Sequence, residues 1–209
     1  IQNIIFNGPD EKLRLTKHTQ PAIFIVSTII SELLIKKGFK PDGVAGHSLG
    51  EYSALVAAQG IDFKTGLELV KIRSESMAKA GQDNPGTMAA IIGMDLESVT
   101  TLAREISTNQ IVVAANHNTE NQIVISGNIK AVQNFTDIAK EHGARMAIPL
   151  NVSGAFHSPL MQPAREELAD KLDSIQISDI NIPLYSNFSA EPTMNGLNIK
   201  QSLISQLEN

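Results

Sequence analysis

Short β-branched stretches alternate with longer stretches of helical periodicity along most of this 209-residue chain. That alternation restricts the fold to the α/β classes. Residues 19–37 place Ala22, Ile25, Val26, Ile29, Ile30, Leu33 and Leu34 on one helical face. Thr19 is positioned to cap the start, Pro21 suits the first turn, and Gly38 stops the helix. Pro41-Asp42-Gly43 then turns the chain into a very short extended stretch, Val44-Ala45. Helical patterns follow over 49–60 and 62–80. From 87 to 152 the texture changes. Strand candidates at 88–94, 110–115, 122–126 and 145–152 are interleaved with helical patterns at 96–106 and 129–142, and a polar loop at 116–121 joins the two middle strands. Strand, helix, strand, strand, helix, strand is the order of a ferredoxin-like unit. Residues 163–172 and 200–207 read as helices and 182–186 as a strand. The expected fold is therefore α/β. A hydrolase-like core with a mainly parallel sheet and helices takes in 1–86 and 153–209, and a ferredoxin-like subdomain is inserted at 87–152.

Composition removes several function classes. The chain has no cysteine, so disulfides, thiolate nucleophiles and Cys-ligated metals are excluded together. Lys plus Arg number 17 against 22 Asp plus Glu, a net charge of −5. With no Trp and 4% aromatics, neither nucleic acid nor an anionic membrane is an expected partner. The longest apolar candidate for a membrane span, residues 22–35, is interrupted by Ser27, Thr28, Ser31 and Glu32. No leader pattern precedes it, and the expected location is cytoplasmic. A start at Ile1 and an end inside a helical pattern read as a piece of a longer chain.

Gly46-His47-Ser48-Leu49-Gly50 matches G-x-S-x-G, set between the short apolar strand and a helix. That context is the one a nucleophile elbow requires. Serine sits on a tight strand-to-helix turn, flanking glycines permit close chain approach, and the helix start faces the hydroxyl. The N–H of Leu49 could then donate to an oxyanion. A glycine-rich turn with a passive serine is the competing reading. A serine nucleophile needs a base. Of the five histidines, His18 and His142 sit at helix ends, His117 in the polar loop, and His47 beside Ser48. His157 follows an extended run and precedes a helix, where active-site loops often lie. A half-buried loop histidine is the alternative. His47 and Glu51 are helical neighbours, but two ligands make no metal site. Neither a dinucleotide fingerprint nor a phosphate-binding P-loop is present.

Four ordered blocks carry a family resemblance. They are Gly46 to Leu55, Arg73 within Lys71-Ile72-Arg73-Ser74-Glu75-Ser76-Met77, residues 116–127, and Asn151-Val152-Ser153-Gly154-Ala155-Phe156-His157-Ser158. Together with Leu15-Thr16 and Thr19-Gln20-Pro21-Ala22, they resemble malonyl-CoA:acyl carrier protein transacylases and the acyltransferases of polyketide synthases. The resemblance implies a two-step transfer with no resident cofactor. Ser48 would take malonyl from its coenzyme A thioester, and His157 would act as base. The phosphopantetheine thiol of acyl carrier protein would then collect the acyl group. The histidine of this family is oriented by a main-chain carbonyl, so the site is a dyad. Arg73 matches the family's carboxylate-binding arginine, whose planar fork suits a free carboxylate. As a helical residue it could equally be a solvated surface charge. Phe156 matches the malonyl-selective form of the motif, in which its bulk opposes a C2 methyl, and it could also be a core anchor. Leu49, Met77 and Asn116 complete the implied substrate contacts, although Asn116 reads equally as a turn residue.

Two family features are not found in the sequence. One is an N-terminal strand with a Gly-Gln-Gly-Ser-Gln loop that supplies a second oxyanion N–H. The other is a stretch beyond Gln206-Leu207-Glu208-Asn209 expected to hold the carbonyl that orients the histidine. The 209-residue chain alone is therefore expected to be poorly active. A serine esterase or thioesterase, and a non-catalytic fragment that docks acyl carrier protein, are the alternative functions.

Overall fold

The computed structural model describes residues 1–208. In chain order the elements are α1 (Gln2–Asn7), α2 (Asp10–Leu13), α3 (Thr16–Lys36), β1 (Val44–Ala45), α4 (Gly50–Ala57), α5 (Phe63–Asp83), β2 (Gly86–Ile92) and α6 (Leu96–Ile106). They continue as β3 (Val112–Thr119), β4 (Gln122–Asn128), α7 (Ile129–Ile138), β5 (Met146–Pro149), a single 3₁₀ turn (Pro159–Met161), α8 (Gln162–Asp173), β6 (Leu184–Tyr185), β7 (Pro192–Thr193) and α9 (Gly196–Ser205). The fold is mixed α/β. Two compact units divide the chain: Ile1–Ser76 with Arg165–Gln206, and Met77–Ala164 with the C-terminal residues from Leu207.

In the first unit a three-stranded sheet runs β1-β6-β7, with β1 parallel to β6 and β6 antiparallel to β7. These strands are only two residues long, so helices supply most of the packing. Helix α3 lies against α4, and the Phe24 and Phe63 rings stack with centroids 5.6 Å apart. Leu55, Leu69, Val70, Ile199 and Leu203 are fully or almost fully buried in this unit.

Helix α3 starts three residues before the expected cap. Its start at Thr16 follows Leu15, and no side chain caps it. Thr19 instead lies inside the first turns and bonds the Leu15 carbonyl, so Pro21 falls within the helix. Gly38, at φ +91°, ends it as expected. The apolar face read from the sequence is only partly covered. Ala22, Phe24 and Thr28 are buried, whereas Val26, Ile29, Ile30, Leu33 and Leu34 are 42–54% exposed. The apolar arc is wider than the neighbours in this unit can cover. Beside it lies an apolar groove of about 620 Å³, lined by Thr28, Ile29, Ile35, Val56 and Phe63 among others. By length and composition α3 would suffice to cross a membrane.

The second unit contains a four-stranded sheet in the order β3-β4-β2-β5, with every neighbouring pair antiparallel. Alternation sorts its side chains. Ala89, Ile91, Ile123 and Ile125 face a core shared with Val99 and Leu102 of α6 and Val132 and Phe135 of α7. Met88, Ala90, Ala115 and Val124 form a smaller cluster on the opposite side, joined by Leu150, Val152 and Phe156. Asp95 caps α6 by accepting from the Ser98 N–H at 2.7 Å. The strand β3 continues to Thr119, through the segment expected to be loop. Two register shifts, at Ala114/Asn116 and His117/Thr119, let the ladder run on under polar side chains.

Candidate active site

Strand β1 ends at Ala45 and α4 begins at Gly50, so four residues make the turn between them. Ser48 sits there at φ +50°. A left-handed conformation at a non-glycine residue costs about 1–3 kcal/mol and persists only where its surroundings hold it. A Cβ on Gly46 would lie 2.0 Å from the Gly50 carbonyl carbon, so only glycine fits at the start of the turn. At Gly50 the same construction meets nothing within 4 Å. Close packing thus explains the first glycine of the motif and not the second, contrary to the expectation of close approach on both sides. Main-chain bonds from Gly50 to His47 and from Glu51 to Ser48 close the turn. The Leu49 N–H donates to no acceptor among the described residues.

Arg73 of α5 is 1% exposed and donates through Nη2 to Ser48 Oγ at 2.7 Å. The structure thus brings together two of the residues expected at the site. The remaining partners of Arg73 are neutral. Nη1 donates to Gln20 Oε1 at 2.7 Å, and Nη2 also donates to Gln206 Oε1 at 3.0 Å. Its Cζ lies 5.7 Å from the Tyr52 ring centroid, within reach of a cation–π contact. The Nε is buried with no acceptor. No carboxylate among the described residues forms an ion pair with this guanidinium. Burial pulls Arg73 below the ordinary arginine value, opposed by its electrostatic interaction with Tyr52 and Glu51. Burial also pushes the Tyr52 hydroxyl up to about 12.

Glu51 is fully buried in the first turn of α4. Its Oε1 accepts from the Asn187 main-chain N–H at 3.0 Å, and its Oε2 accepts from Gln206 Nε2. Desolvation raises its pKa, and those two bonds work against the rise. Gln206 Nε2 also donates to the Ser48 carbonyl at 3.1 Å. Because arginine only donates, the Gln206 oxygen must face Arg73 and its NH₂ must face Glu51. Asn187, just past β6, accepts the Ser48 N–H through Oδ1 and donates from Nδ2 to the Gly46 carbonyl at 2.8 Å.

Gln20, Glu51, Asn187 and Gln206 were not singled out as site residues by sequence reasoning. Glu51 enters the sequence reading only as a helical neighbour of His47, in a pair too small to make a metal site. Its place three residues after Ser48 in an otherwise apolar helix was the available signal. Asn187 and Gln206 lie 139 and 158 residues from Ser48, beyond any local pattern.

The remaining expected residues belong to the second unit. His157 is 5% exposed, at φ +57°, in the loop between β5 and the 3₁₀ turn. Ser158 Oγ, buried beside it, donates to the Ala155 carbonyl at 2.7 Å. A Cβ at Gly81 of α5 would sit 2.7 Å from the Ser153 carbonyl oxygen, so the loop presses onto the helix at a glycine. Phe156 is half-buried against the smaller sheet cluster, with Met88 and Val124 among its members. Asn116 is half-buried on β3 opposite Val124, and Met77 is 2% exposed on α5.

Fold and site define a mixed α/β protein with a strained serine at a strand-to-helix elbow and a buried arginine beside it. Comparison with known proteins places that class in a family. The acyl transferase domain model matches residues 1–204, and the chain belongs to that family. It is 45% identical over 208 residues to the malonyl CoA-acyl carrier protein transacylase of Bacillus subtilis, covering 99% of this chain and 66% of that protein. The malonyl-CoA:ACP transacylase structure from Synechocystis sp. PCC 6803 aligns with a TM-score of 0.87 at 43% identity, covering 97% of this chain and 66% of that one. A malonyl-transacylase solved in complex with a type II PKS acyl-carrier protein aligns with a TM-score of 0.95 at 39% identity, covering 100% of this chain and 68% of that one. The chain thus spans just under two thirds of the length of the curated relatives first matched.

Proposed function

We propose that the protein of which this chain forms at least a part transfers malonyl from coenzyme A to the phosphopantetheine thiol of acyl carrier protein. The observation that carries this reading is Arg73: a buried cation bonded to the Ser48 hydroxyl and to neutral amides, with no carboxylate ion-paired to it among the described residues. Burying a cation without a directly paired carboxylate is costly, and Glu51, linked to it through Gln206, offsets that cost only in part. An incoming free carboxylate would relieve that cost, and a malonyl group brings one on the carbon next to its thioester. Fork-to-carboxylate bonding would also fix the orientation of the thioester toward Ser48.

In the first half-reaction Ser48 Oγ attacks the thioester carbonyl. His157 takes the hydroxyl proton as the new C–O bond forms. The developing oxyanion is met by the Leu49 N–H, which has no acceptor among the described residues. The C–S bond then breaks, and the coenzyme A thiolate leaves with the proton returned by His157. The second half-reaction reverses the roles. His157 takes the proton of the carrier thiol, the thiolate attacks malonyl-Ser48, the C–O bond breaks, and Ser48 recovers its proton. Arginine stays charged throughout and cannot serve as the base, so the hydrogen bond to Ser48 positions the hydroxyl. Phe156 is proposed to disfavour a C2 methyl, and Met77 and Asn116 to flank the acyl chain.

The chemistry uses no resident metal or cofactor in this reading. Acyl carrier protein and a coenzyme A thioester are the partners, and the cytoplasm is the proposed location. The matched domain includes α3, which supports reading that helix as part of a globular domain. The parallel β1/β6 pair leading into the elbow supports a hydrolase-like core, and the order β3-β4-β2-β5 with two helices on one face supports a ferredoxin-like subdomain near 87–152.

Intact-mass measurement after mixing with malonyl-CoA tests the reading. A malonyl adduct is expected on the parent and absent from Ser48→Ala. Arg73→Ala is expected to lower malonyl transfer by about a hundredfold or more, and to narrow the gap to uncharged acyl thioesters. A serine esterase would be indifferent to the loss of Arg73, and a docking fragment would acquire no adduct.

A further inference from the structure

Ser48 is held in its left-handed conformation partly from outside its own turn, and one side chain bonds the main chain on both sides of His47. The Asn187 carboxamide brackets the elbow, with Oδ1 accepting from the Ser48 N–H and Nδ2 donating to the Gly46 carbonyl. These are main-chain groups on either side of His47, and one planar amide fixes their separation. Asn187 is itself pinned through its main-chain N–H by buried Glu51, which belongs to the helix that the elbow starts. The loop after β6 and the first turn of α4 thereby lock each other.

We infer that Asn187, anchored by Glu51, is a positioning residue for the nucleophile: its carboxamide sets the backbone angle that aims Ser48 Oγ, and it occupies the Ser48 N–H. A second consequence concerns the oxyanion. With its own N–H committed to Asn187, Ser48 cannot donate there, while the adjacent Leu49 N–H has no acceptor among the described residues. The clamp therefore selects which amide of the elbow faces the developing charge. Asn187 touches neither substrate nor reacting atoms in this assignment. It acts through the main chain of Ser48, and the inference rests on the acyl-transfer reading above.

The experiment measures the rate of malonyl-Ser48 formation by quenched-flow mass spectrometry, across malonyl-CoA concentrations, for the parent, Asn187→Ala and Asn187→Asp. The whole natural protein is used throughout. Asn187→Ala is expected to slow acylation about a hundredfold, the penalty of a nucleophile displaced by about an ångström. Half-saturation by malonyl-CoA should stay close to that of the parent, because Arg73 and its partners are untouched. Asn187→Asp separates positioning from simple structural damage. An ionised Asp accepts from Ser48 but faces the Gly46 carbonyl without a proton to give. A protonated Asp restores both bonds. The ionisable groups around it are Glu51 on α4, Arg73 on α5 through Ser48 Oγ, and His47 within the elbow. Taking the ratio to the parent at each pH removes contributions they share, including that of the base. That ratio should climb as pH falls from about 8 toward 5. Equal acylation rates for the parent and Asn187→Ala, or an Asn187→Asp ratio flat with pH, would overturn the inference while leaving acyl transfer standing. A parent that forms no adduct would overturn both.

Discussion

Both units bury hydrocarbon, and the first also buries a bonded cluster of large polar side chains. In the second, the sheet and its two helices enclose hydrocarbon: Ile91, Ile123, Ile125, Val99 and Phe135 are fully buried with no polar partner to satisfy. In the first, Gln20, Glu51, Arg73 and Gln206 are almost wholly removed from water and bonded to one another. A hydrocarbon core gains free energy roughly in proportion to the area it hides. A polar core of this kind roughly recovers its desolvation cost and does so only when every member is in place. The first arrangement makes a rigid platform, and the second makes a site poised for one chemistry. In the first unit the polar cluster is set within a hydrocarbon frame of its own, with Leu55, Leu69 and Val70 fully buried.

That contrast can be tested by substitution. Phe135→Ala removes a fully buried ring from the apolar cluster, and a loss of about 3–5 kcal/mol is expected in urea unfolding. A loss below about 1 kcal/mol would mean that the cluster is not the platform described. Phe156→Ser is a smaller change at the edge of the second cluster. It should reduce the preference for malonyl over methylmalonyl thioesters by about tenfold, read from paired kcat/KM values. An unchanged ratio would return Phe156 to a purely packing role. The smallest effect is electrostatic. The folded structure raises the pKa of Glu51 above its ordinary value of 4.5, chiefly through burial. Its contribution to stability is thus fully present below the unfolded value and is lost as pH rises through the raised folded value. The stability of the parent relative to Glu51→Gln should therefore fall with rising pH across that window and then level off, as followed by urea unfolding in a pH series. A difference that grows with pH would mean that the bonds from Asn187 and Gln206 outweigh desolvation.

How much of this was legible in the sequence depended on distance along the chain. The periods of α3, α5, α6 and α7 are written in successive side chains, and those helices formed close to where they were expected. The start of α3 was misplaced because Thr19 looks like a cap, whereas the helix begins after Leu15 without any side-chain cap. The end of β3 was missed because Asn116, His117 and Asn118 have polar, loop-like side chains, while the ladder is made by main-chain groups that sequence composition does not describe. Ser48 and Arg73, 25 residues apart, are both expected site residues, from the elbow motif and from the family blocks, and the structure bonds one to the other. Their supports are not among the expected residues. The bonds from Asn187 to Glu51 and from Gln206 to Ser48 span 136 and 158 residues, and no periodicity or spacing signals them.

The bare flank of α3 has a practical consequence. Ile29, Ile30, Leu33 and Leu34 offer water a greasy ridge beside a groove, and a single Glu32–Lys36 pair is the charge closest to it along the helix. Surfaces of this sort stick to one another and to hydrophobic dyes. The polypeptide is expected to self-associate as its concentration rises, which light scattering across a concentration series would check. Dilute conditions or mild detergent will be needed before any rate measured on it reports the chemistry of a dispersed molecule.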